Sequence, residues 1–325
     1  VYMTFVVSLS FLLYSYAPNW EWLLLGTFIS SLALLYQPAM WGIMADSAPK
    51  KNRGKLFALY NVVPGVLMAV SPIFAIYLIS RYSLVPAMRL IYFLIFAFGV
   101  VVTIIRGVLL RETLNREKSL NELKAGFWDA YRKALLFIKA RVFYLLVVYV
   151  MVNIAISMSF LIPYYTVFYL NLSETEWGII WVAGGVIALF ISLPSGFIID
   201  KIGRRPTIIF TLAMYFTGFI LYFISPILPY PTFQVILIAE TTRQIGQGVF
   251  FVVFNTLSAD LVPVEFRGRV NSVMRMISDV TGSFIALLAG LIYSTIGAPF
   301  PFVISAVIIL TGGFIALTKI SETIE

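Results

Sequence analysis

Runs of predominantly apolar residues, each about 20 residues long, recur along the whole chain and constrain the fold more than any other feature. Each run is long enough to cross a hydrocarbon layer roughly 30 Å thick as a helix. Hydrophobic residues make up 61% of the chain and charged residues 12%, whereas a soluble domain has about 45–50% and 25%. Segments of alternating polarity, which a membrane β-barrel requires, do not recur. Because a backbone in lipid must bond internally, the sequence predicts an all-α polytopic membrane protein.

We expect ten spanning helices. They cover residues 1–16, 22–45, 56–80, 88–110, 142–170, 177–199, 206–226, 232–261, 268–295 and 299–318. Most of the 23 Lys and Arg residues fall after the even-numbered helices. The positive-inside rule places these connections in the cytoplasm and predicts a multi-pass protein of the cell membrane. The net charge of +8 is therefore a topology signal and an attraction to anionic lipid, and it requires no nucleic-acid partner.

Residues 111–141 form a polar segment between the fourth and fifth predicted helices. Apolar residues recur within it at helical spacing, at Leu120, Leu123, Phe127, Tyr131, Leu135 and Ile138. This spacing predicts an amphipathic helix on the membrane surface, acting as a linker. A regulatory site is the alternative interpretation.

An internal repeat relates two connections of the chain. The stretch "ADSAPKKNRGKLF" from Ala45 aligns with "ADLVPVEFRGRVN" from Ala259, which matches Asp46 with Asp260 and Arg53 with Arg267. Two parallel repeats of helices are a transporter architecture. The register leaves the first repeat about two helices short at its front, so we expect a whole protein of twelve spans.

The connection "GFIIDKIGRRPT", residues 196–207, concentrates charge between two apolar runs. Gly203 permits a tight reversal, and a carboxylate at Asp200 can face the positive end of the next helix. Arg204 and Arg205 can bond a carboxylate or a lipid phosphate. A plain topology signal is the alternative interpretation.

Gly196, Asp200, Gly203, Arg204 and Arg205 fit the loop motif G-x-x-x-D-x-x-G-R-R/K, and the chain therefore resembles the major facilitator superfamily. The connection that runs from Asp46 to Arg53 and again from Asp260 to Arg267 is also common in that family. The resemblance implies two six-helix bundles. It divides the chain into a shortened first bundle at 1–110, a linker at 111–141 and a second bundle at 142–325. It also implies that Arg204 pairs with Asp260, in a contact that forms and breaks as the halves move.

Polar residues inside the predicted spans are expensive and indicate function. They form three stripes at helical spacing: Glu240, Arg243, Gln247, Phe251 and Asn255; Asn271, Arg275, Asp279 and Gly282; and Asn153, Ser157, Phe160 and Tyr164. From these stripes we predict a pathway for substrate or protons, formed by Glu240, Arg243, Gln247, Asn255, Asn153, Tyr164, Arg275 and Asp279. The alternative is that the pairs Glu240–Arg243 and Arg275–Asp279 only hold helices together. The resemblance implies that the fifth and eighth helices line a central cavity.

These features predict a secondary transporter that moves a small organic solute by alternating access. The chain has no His, so proton coupling would need Glu240 or Asp279. The chain also has no Cys, and we expect no cofactor, no metal and no catalytic site. A truncated, non-transporting binding or scaffold protein is the alternative. We expect a monomer in the lipid bilayer.

Overall fold

A computed structural model describes residues 1–34, 71–109, 127–192 and 194–320 of the protein. These residues are predominantly helical and contain no β-strand, which confirms the predicted all-α class. Within them, six segments are long and apolar enough to cross a membrane: Leu84–Leu109, Tyr131–Tyr169, Glu174–Ser192, Arg204–Ile227, Arg267–Thr295 and Phe300–Lys319. Much of the second and third predicted spans lies outside the described residues.

The chain divides into two compact units, Val1–Lys124 and Ala125–Glu325. In the first unit the described helices are α1 (Tyr2–Tyr16), α2 (Trp20–Ala33), α3 (71–82) and α4 (Leu84–Leu109). Helix α1 packs against both α2 and α4. The Ser15 hydroxyl donates to the Arg89 carbonyl at 2.9 Å, and the Arg106 guanidinium donates to the Thr4 hydroxyl at 2.9 Å. These two bonds join α1 to both ends of α4.

The second unit contains eight labelled helices among the described residues. They are α5 (Phe127–Phe137), α6 (Phe143–Met158), α7 (Glu174–Ser192), α8 (Ser195–Ile202), α9 (Arg204–Ile224), α10 (Thr232–Leu261), α11 (Val264–Thr295) and α12 (Phe300–Lys319). Helix α9 packs against α10 and α12, α6 packs against α11 and α12, and α7 packs against α10. Large side chains such as Tyr165, Phe219 and Phe302 are fully buried at these contacts. The core of the unit therefore lies between helices that are mostly apolar on all sides.

The predicted amphipathic helix is continuous with the span that follows it. Helix α5 passes through a π-helical turn, Ile138–Val142, directly into α6. Its inward face carries Ala134 and Ile138, which are buried, whereas Leu135 is exposed. Ile138 therefore packs within the unit, on the side of the helix that meets α11, and Leu135 does not. The position of this segment on the membrane surface stays a prediction. Leu120 and Leu123 lie outside the described residues.

The predicted single helix 177–199 is two helices in the structure. Helix α7 ends at Ser192, and α8 begins at Ser195 with Pro194 at its N-cap. Proline lacks a backbone N–H and its ring clashes with the preceding turn, so the helix cannot run through this position undisturbed. The break makes α8 a separate short helix that leads into the charged connection.

Candidate functional site

Gly203 forms the reversal between α8 and α9. Its backbone has φ 103° and ψ 159°, a region that side-chain-bearing residues rarely adopt. The Gly203 N–H donates to the Ile199 carbonyl at 3.0 Å, and its carbonyl accepts from the Thr207 hydroxyl at 2.7 Å. Pro206 follows in the first turn of α9, where its missing N–H costs nothing. The predicted tight reversal at Gly203 is confirmed.

The two arginines after Gly203 bond to two other helices of the same unit. Arg204 Nε lies 3.1 Å from Asp260 Oδ2, and the two side chains are 15% and 34% exposed. This is the pairing that the family resemblance implies, and it joins the start of α9 to the end of α10. The Arg205 guanidinium donates to the Leu317 carbonyl in the last turn of α12. The pairing of Arg204 with Asp260 is confirmed, and its conformational role stays a prediction.

The second copy of the repeated connection closes the end of α10. Arg267 Nη2 donates to the Ala259 carbonyl at 2.7 Å, and Arg267 Nε donates to the Val262 carbonyl at 3.3 Å. Terminal carbonyls of a helix lack partners within the helix, and a basic side chain satisfies them. Arg267 is therefore a helix cap.

Some residues of the predicted conformational motif cannot be placed in this geometry. Asp46 and Arg53 lie outside the described residues, as does the side chain of Asp200. Gly196 lies in the first turn of α8. The geometry of the motif therefore rests on Gly203, Arg204, Arg205, Asp260 and Arg267, and the first copy of the repeated connection stays untested.

Glu240 and Arg243, one turn apart on α10, form a salt bridge on the side of the helix that faces α9. Arg243 Nη2 lies 2.6 Å from Glu240 Oε1, and Arg243 Nε lies 2.9 Å from Glu240 Oε2. Tyr222 donates its hydroxyl to Glu240 Oε2 at 2.7 Å, and Gln244 Nε2 donates to Oε1 at 2.8 Å. Glu240 is 0% exposed and Arg243 is 7% exposed. A bidentate, charge-assisted pair of this kind compensates the cost of burying both charges.

This buried network, consisting of Glu240, Arg243, Tyr222 and Gln244, ties three helices together. Tyr222 belongs to α9, and Gln244 Nε2 also contacts the Trp181 carbonyl of α7 at 3.1 Å. Gly218 on α9 permits the close approach to α10, since a Cβ there would lie 2.9 Å from the Ala239 carbonyl oxygen. The network therefore joins α10 to the two helices α9 and α7 that pack against it.

The predicted stripe on α10 divides into two parts in the structure. Glu240 and Arg243 point into the unit, and Gln247 Oε1 accepts from Arg243 Nη1 at 3.4 Å. Phe251 and Asn255, further along the helix, are exposed on the surface of this unit. Sequence spacing placed all five residues on one face. The stripe drifts around the helix, so that its ends meet different surroundings.

The other two stripes meet in a polar cleft between α6 and α11, with a volume of about 430 Å³. Its lining consists of Asn153, Ser157, Phe160, Ser278, Asp279, Gly282, Ser283 and Ala286. The side-chain oxygen of Ser278 is buried and has no hydrogen-bond partner among the described residues. Gly282 allows the helices to meet here, because a Cβ on it would lie 2.4 Å from Ser157 Oγ. The cleft is a concave site with several hydrogen-bonding groups and one carboxylate.

Sequence reasoning identified Asn153 and Asp279 for the pathway but missed Ser278 and Ser283. Ser283 lies one helical turn after Asp279, so helical spacing could have identified it. Serine is common on helices, however, and this spacing alone does not single it out. Arg275 does not line the cleft. Within the described part of the chain, Arg275 and Asp279 form no ion pair within 4.0 Å. The suggested pairing of these two residues is therefore not present.

Tyr164 lies outside the cleft in an aromatic cluster. Its ring centroid is 4.6 Å from that of Phe168 and 5.5 Å from that of Tyr293. Half of the Tyr164 side chain is exposed, at 52%. Its place in the pathway stays a prediction.

Comparison with known proteins gives a family and a fold. The sequence model of the Major Facilitator Superfamily matches residues 1–239 and 213–323. No curated protein matches the chain in sequence. A bacterial homologue of the iron transporter ferroportin, in an inward-facing state, superposes with a TM-score of 0.67 at 13% identity, covering 97% of this chain and 80% of that one.

Two further solved structures resemble the chain. A bacterial metal transporter has a TM-score of 0.69 at 14% identity, with 97% of this chain and 82% of that one covered. A bacterial homologue of the human lysosomal transporter Spinster, inward-facing and unoccupied, has a TM-score of 0.64 at 17% identity, with 97% and 81% covered. At these identities the likeness establishes the shared fold of the chain and its neighbours.

Proposed function

Since the chain belongs to the Major Facilitator Superfamily, we propose that it is a secondary active transporter that carries a small organic solute by alternating access. The polar cleft between α6 and α11 carries this proposal. It gathers polar side chains from two spanning helices into one cavity. Polar groups inside spans are costly and mark substrate pathways.

The cleft favours a solute that donates hydrogen bonds. Asp279 supplies a carboxylate, Ser278 supplies a buried hydroxyl without a protein partner, and Phe160 supplies an apolar wall. Two of the structural neighbours are named for iron or metal transport. A metal site would need several ligands, and the described residues contain no group of three or more His, Cys, Asp or Glu that could hold an ion. An organic solute therefore suits this cleft better than a metal ion.

Proton coupling, where it operates, belongs to Asp279 rather than to Glu240. Glu240 accepts hydrogen bonds from Tyr222, Arg243 and Gln244 and is fully buried. Protonating it would break a bidentate pair and leave Arg243 as an uncompensated buried charge. Asp279 is exposed in the cleft and free of such a pair among the described residues. Its carboxylate can therefore exchange a proton or a solute without dismantling the unit.

The ion pair between Arg204 and Asp260 acts as a conformational latch on this proposal. Because both side chains are partly exposed, the pair contributes only about 0.5–1 kcal/mol. That energy is too small to hold the fold but large enough to bias two states of similar free energy. On the same proposal the basic connections lie in the cytoplasm and the protein in the plasma membrane.

The test is uptake into proteoliposomes, with and without a proton gradient, against a panel of sugars, organic acids and organic cations. Asp279→Asn is expected to abolish transport of the solute that the wild type carries, since the cleft loses its carboxylate. Glu174→Gln is the matched control, because it removes a carboxylate from the start of α7, outside the cleft. Its uptake should equal that of the wild type.

Two outcomes contradict the proposal. Wild-type protein that transports no member of a broad panel in either direction would favour a non-transporting binding protein. Full transport by Asp279→Asn would remove the cleft from the mechanism. A third outcome would narrow the proposal: if wild-type transport does not depend on the proton gradient and Asp279→Asn abolishes it, Asp279 binds the solute and does not couple transport to protons.

A further inference from the structure

Arg275 and Asp279 place two opposite charges on one face of α11, inside a membrane span. They are four residues apart, which is one helical turn and about 6 Å along the axis. Both residues are exposed, and neither has an ion-pair partner within 4.0 Å in the part of the chain that the structure describes. A base that precedes an acid is the less favourable order for pairing along a helix. The two charges are therefore separate.

Tyr149 on α6 lies near both of these charges. Its hydroxyl is within electrostatic range of Arg275 and of Asp279. Tyr149 is also one turn before Asn153, which lines the polar cleft together with Asp279. Arg275 therefore lies beside one end of the polar cleft, one turn before the first lining residues of α11.

Three hydrogen-bond acceptors meet in the polar cleft. Asp279 supplies a carboxylate, and Ser278, which is 2% exposed, supplies a hydroxyl oxygen without a partner among the described residues. Asn153 donates its amide N–H to the Tyr149 carbonyl at 2.8 Å, which leaves its amide oxygen to accept. An ammonium group carries three N–H donors and no acceptor. These acceptors are therefore suited to an ammonium group, and a buried hydroxyl without a partner is costly until a ligand binds it.

The other end of the polar cleft is apolar. Phe160 and Ala286 line it, two turns after Asn153 and Asp279 respectively. Phe160 is 55% exposed, so its ring is accessible to a ligand. Along the two helices the order is therefore a guanidinium, a group of acceptors and an apolar wall.

We propose that the polar cleft binds a small zwitterion with an ammonium, a carboxylate and an apolar substituent, as in an α-amino acid. The ammonium donates to Asp279, Ser278 and Asn153. The carboxylate accepts from Arg275, and the apolar substituent packs against Phe160. This inference rests on the proposed transport function and names its substrate class.

A zwitterion fits the two charges better than a solute with a single charge. A monocation would be attracted by Asp279 and repelled by Arg275, and a monoanion would meet the reverse. A zwitterion gives each side chain a partner and adds no net charge to the span, where unpaired charge is costly. The cleft volume of about 430 Å³ lies within the range of small-molecule sites.

Isothermal titration calorimetry on the purified full chain in detergent tests the solute class. The probes are alanine, leucine and phenylalanine, each compared with the amine that lacks its carboxylate and the acid that lacks its ammonium. For leucine these analogues are 3-methylbutylamine and 4-methylpentanoate. The wild type is expected to bind at least one amino acid about tenfold more tightly than either analogue, the effect of losing a hydrogen bond to a charged group.

Arg275→Gln tests the carboxylate end of the site. It should bind the amino acid about tenfold more weakly and the amine more tightly than the wild type, because it loses a partner for one and a repulsion for the other. Arg275→Lys should keep most of the wild-type preference. Arg269→Gln is the matched control, since Arg269 is an exposed arginine of α11 outside the cleft. It should bind all probes as the wild type does.

Ser278→Ala separates ligand binding from folding. The hydroxyl that it removes has no partner among the residues that the structure describes, so the apparent melting temperature without ligand should not fall. The amino acid and its amine should both bind about tenfold more weakly, whereas the affinity for the acid should not change.

Equal affinity of the wild type for an amino acid and its amine would overturn the inference, as would an unchanged preference in Arg275→Gln. If no amino acid binds while proteoliposomes take up a sugar or a singly charged solute, the substrate class is wrong and the transporter proposal stands. Amino-acid binding without uptake supports the site and contradicts transport. If Arg275→Gln does not fold, the wild-type affinities and Ser278→Ala still decide the question.

Discussion

Glu240 and Asp279 are both acidic residues inside predicted membrane spans, but their surroundings differ. Asp279 lies exposed in the polar cleft, whereas Glu240 is enclosed by Tyr222, Arg243 and Gln244. A buried charge that keeps its partners is tolerated, and one that loses them is severely destabilising. The two acids are therefore separable by experiment.

Removing only one partner of the buried pair is expected to damage the fold. Glu240→Leu leaves Arg243 buried without a counter-charge and should cost about 3–5 kcal/mol. Adding Arg243→Met to Glu240→Leu should recover most of this loss, since an apolar pair of similar size needs no compensation. The measurement is the apparent melting temperature in detergent. A double variant no more stable than Glu240→Leu would show that the two side chains do not act as a pair.

The partly exposed ion pair between Arg204 and Asp260 should matter more for transport than for stability. Asp260→Asn is expected to leave the melting temperature nearly unchanged, because a partly exposed pair contributes about 0.5–1 kcal/mol. It should alter the transport rate by shifting the balance of conformations a few-fold. The exchange of charges in Arg204→Asp with Asp260→Arg should restore part of the rate. Unaltered transport by Asp260→Asn would reduce this pair to a local contact.

At the scale of elements, close packing explains where the helices sit and where the predictions failed. Pro194 divides one predicted span, and a π-helical turn joins the predicted linker helix to the next span. Proline is visible in the sequence, but many membrane helices run through it because neighbouring helices satisfy the freed carbonyls. The face of α5 that turns inward depends on α11, which no local pattern specifies.

Gly218 provides a test of the contact between α9 and α10. In Gly218→Ala the new methyl group would lie 2.9 Å from the Ala239 carbonyl oxygen and 3.1 Å from the Arg243 nitrogen. Since both contacts are with backbone, the helices must separate, at a cost of about 1–3 kcal/mol. The melting temperature should fall accordingly.

Gly290→Ala is the control for this variant. Its methyl group meets nothing within 4 Å, and alanine in a helix is favoured over glycine by roughly 0.5–1 kcal/mol. Its melting temperature should equal or slightly exceed that of the wild type. Equal stability of Gly218→Ala and Gly290→Ala would mean that α9 and α10 do not approach as closely as described.

At the scale of the whole molecule, the distribution of basic residues predicts the orientation in the membrane. The chain contains no Cys, so single cysteines can be labelled without background. Lys201 lies at the end of α8 in a basic connection, and Tyr230 lies in the connection on the other side of α9. The positive-inside rule places Lys201 in the cytoplasm.

A membrane-impermeant maleimide should therefore label Tyr230→Cys in intact cells. Lys201→Cys should react only after the cells are permeabilised. Tyr230 is 67% exposed, so its reaction should not be limited by burial in the protein. Labelling of Lys201→Cys in intact cells would reverse the proposed orientation.

The sequence by itself determined the class of the protein and identified the residues that form its charged connections. The length of the apolar runs predicted the membrane helices, because the thickness of the hydrocarbon layer fixes how many residues a helix needs to cross it. The spacing in "GFIIDKIGRRPT" predicted the reversal at Gly203, because only glycine readily adopts its backbone geometry. The pairing of Arg204 with Asp260 came from resemblance to the family, and the structure contains it.

Only the tertiary structure decided which polar residues share a site. Helical periodicity placed Glu240 and Asn255 on one stripe, yet one faces α9 and the other lies exposed. It also placed Asn153 and Asp279 on separate helices without bringing them together, whereas the packing of α6 on α11 puts both in one cleft. Periodicity describes a helix relative to its own axis. The choice of neighbour depends on how side chains from distant parts of the chain fit together, and that fit exists only in the folded molecule.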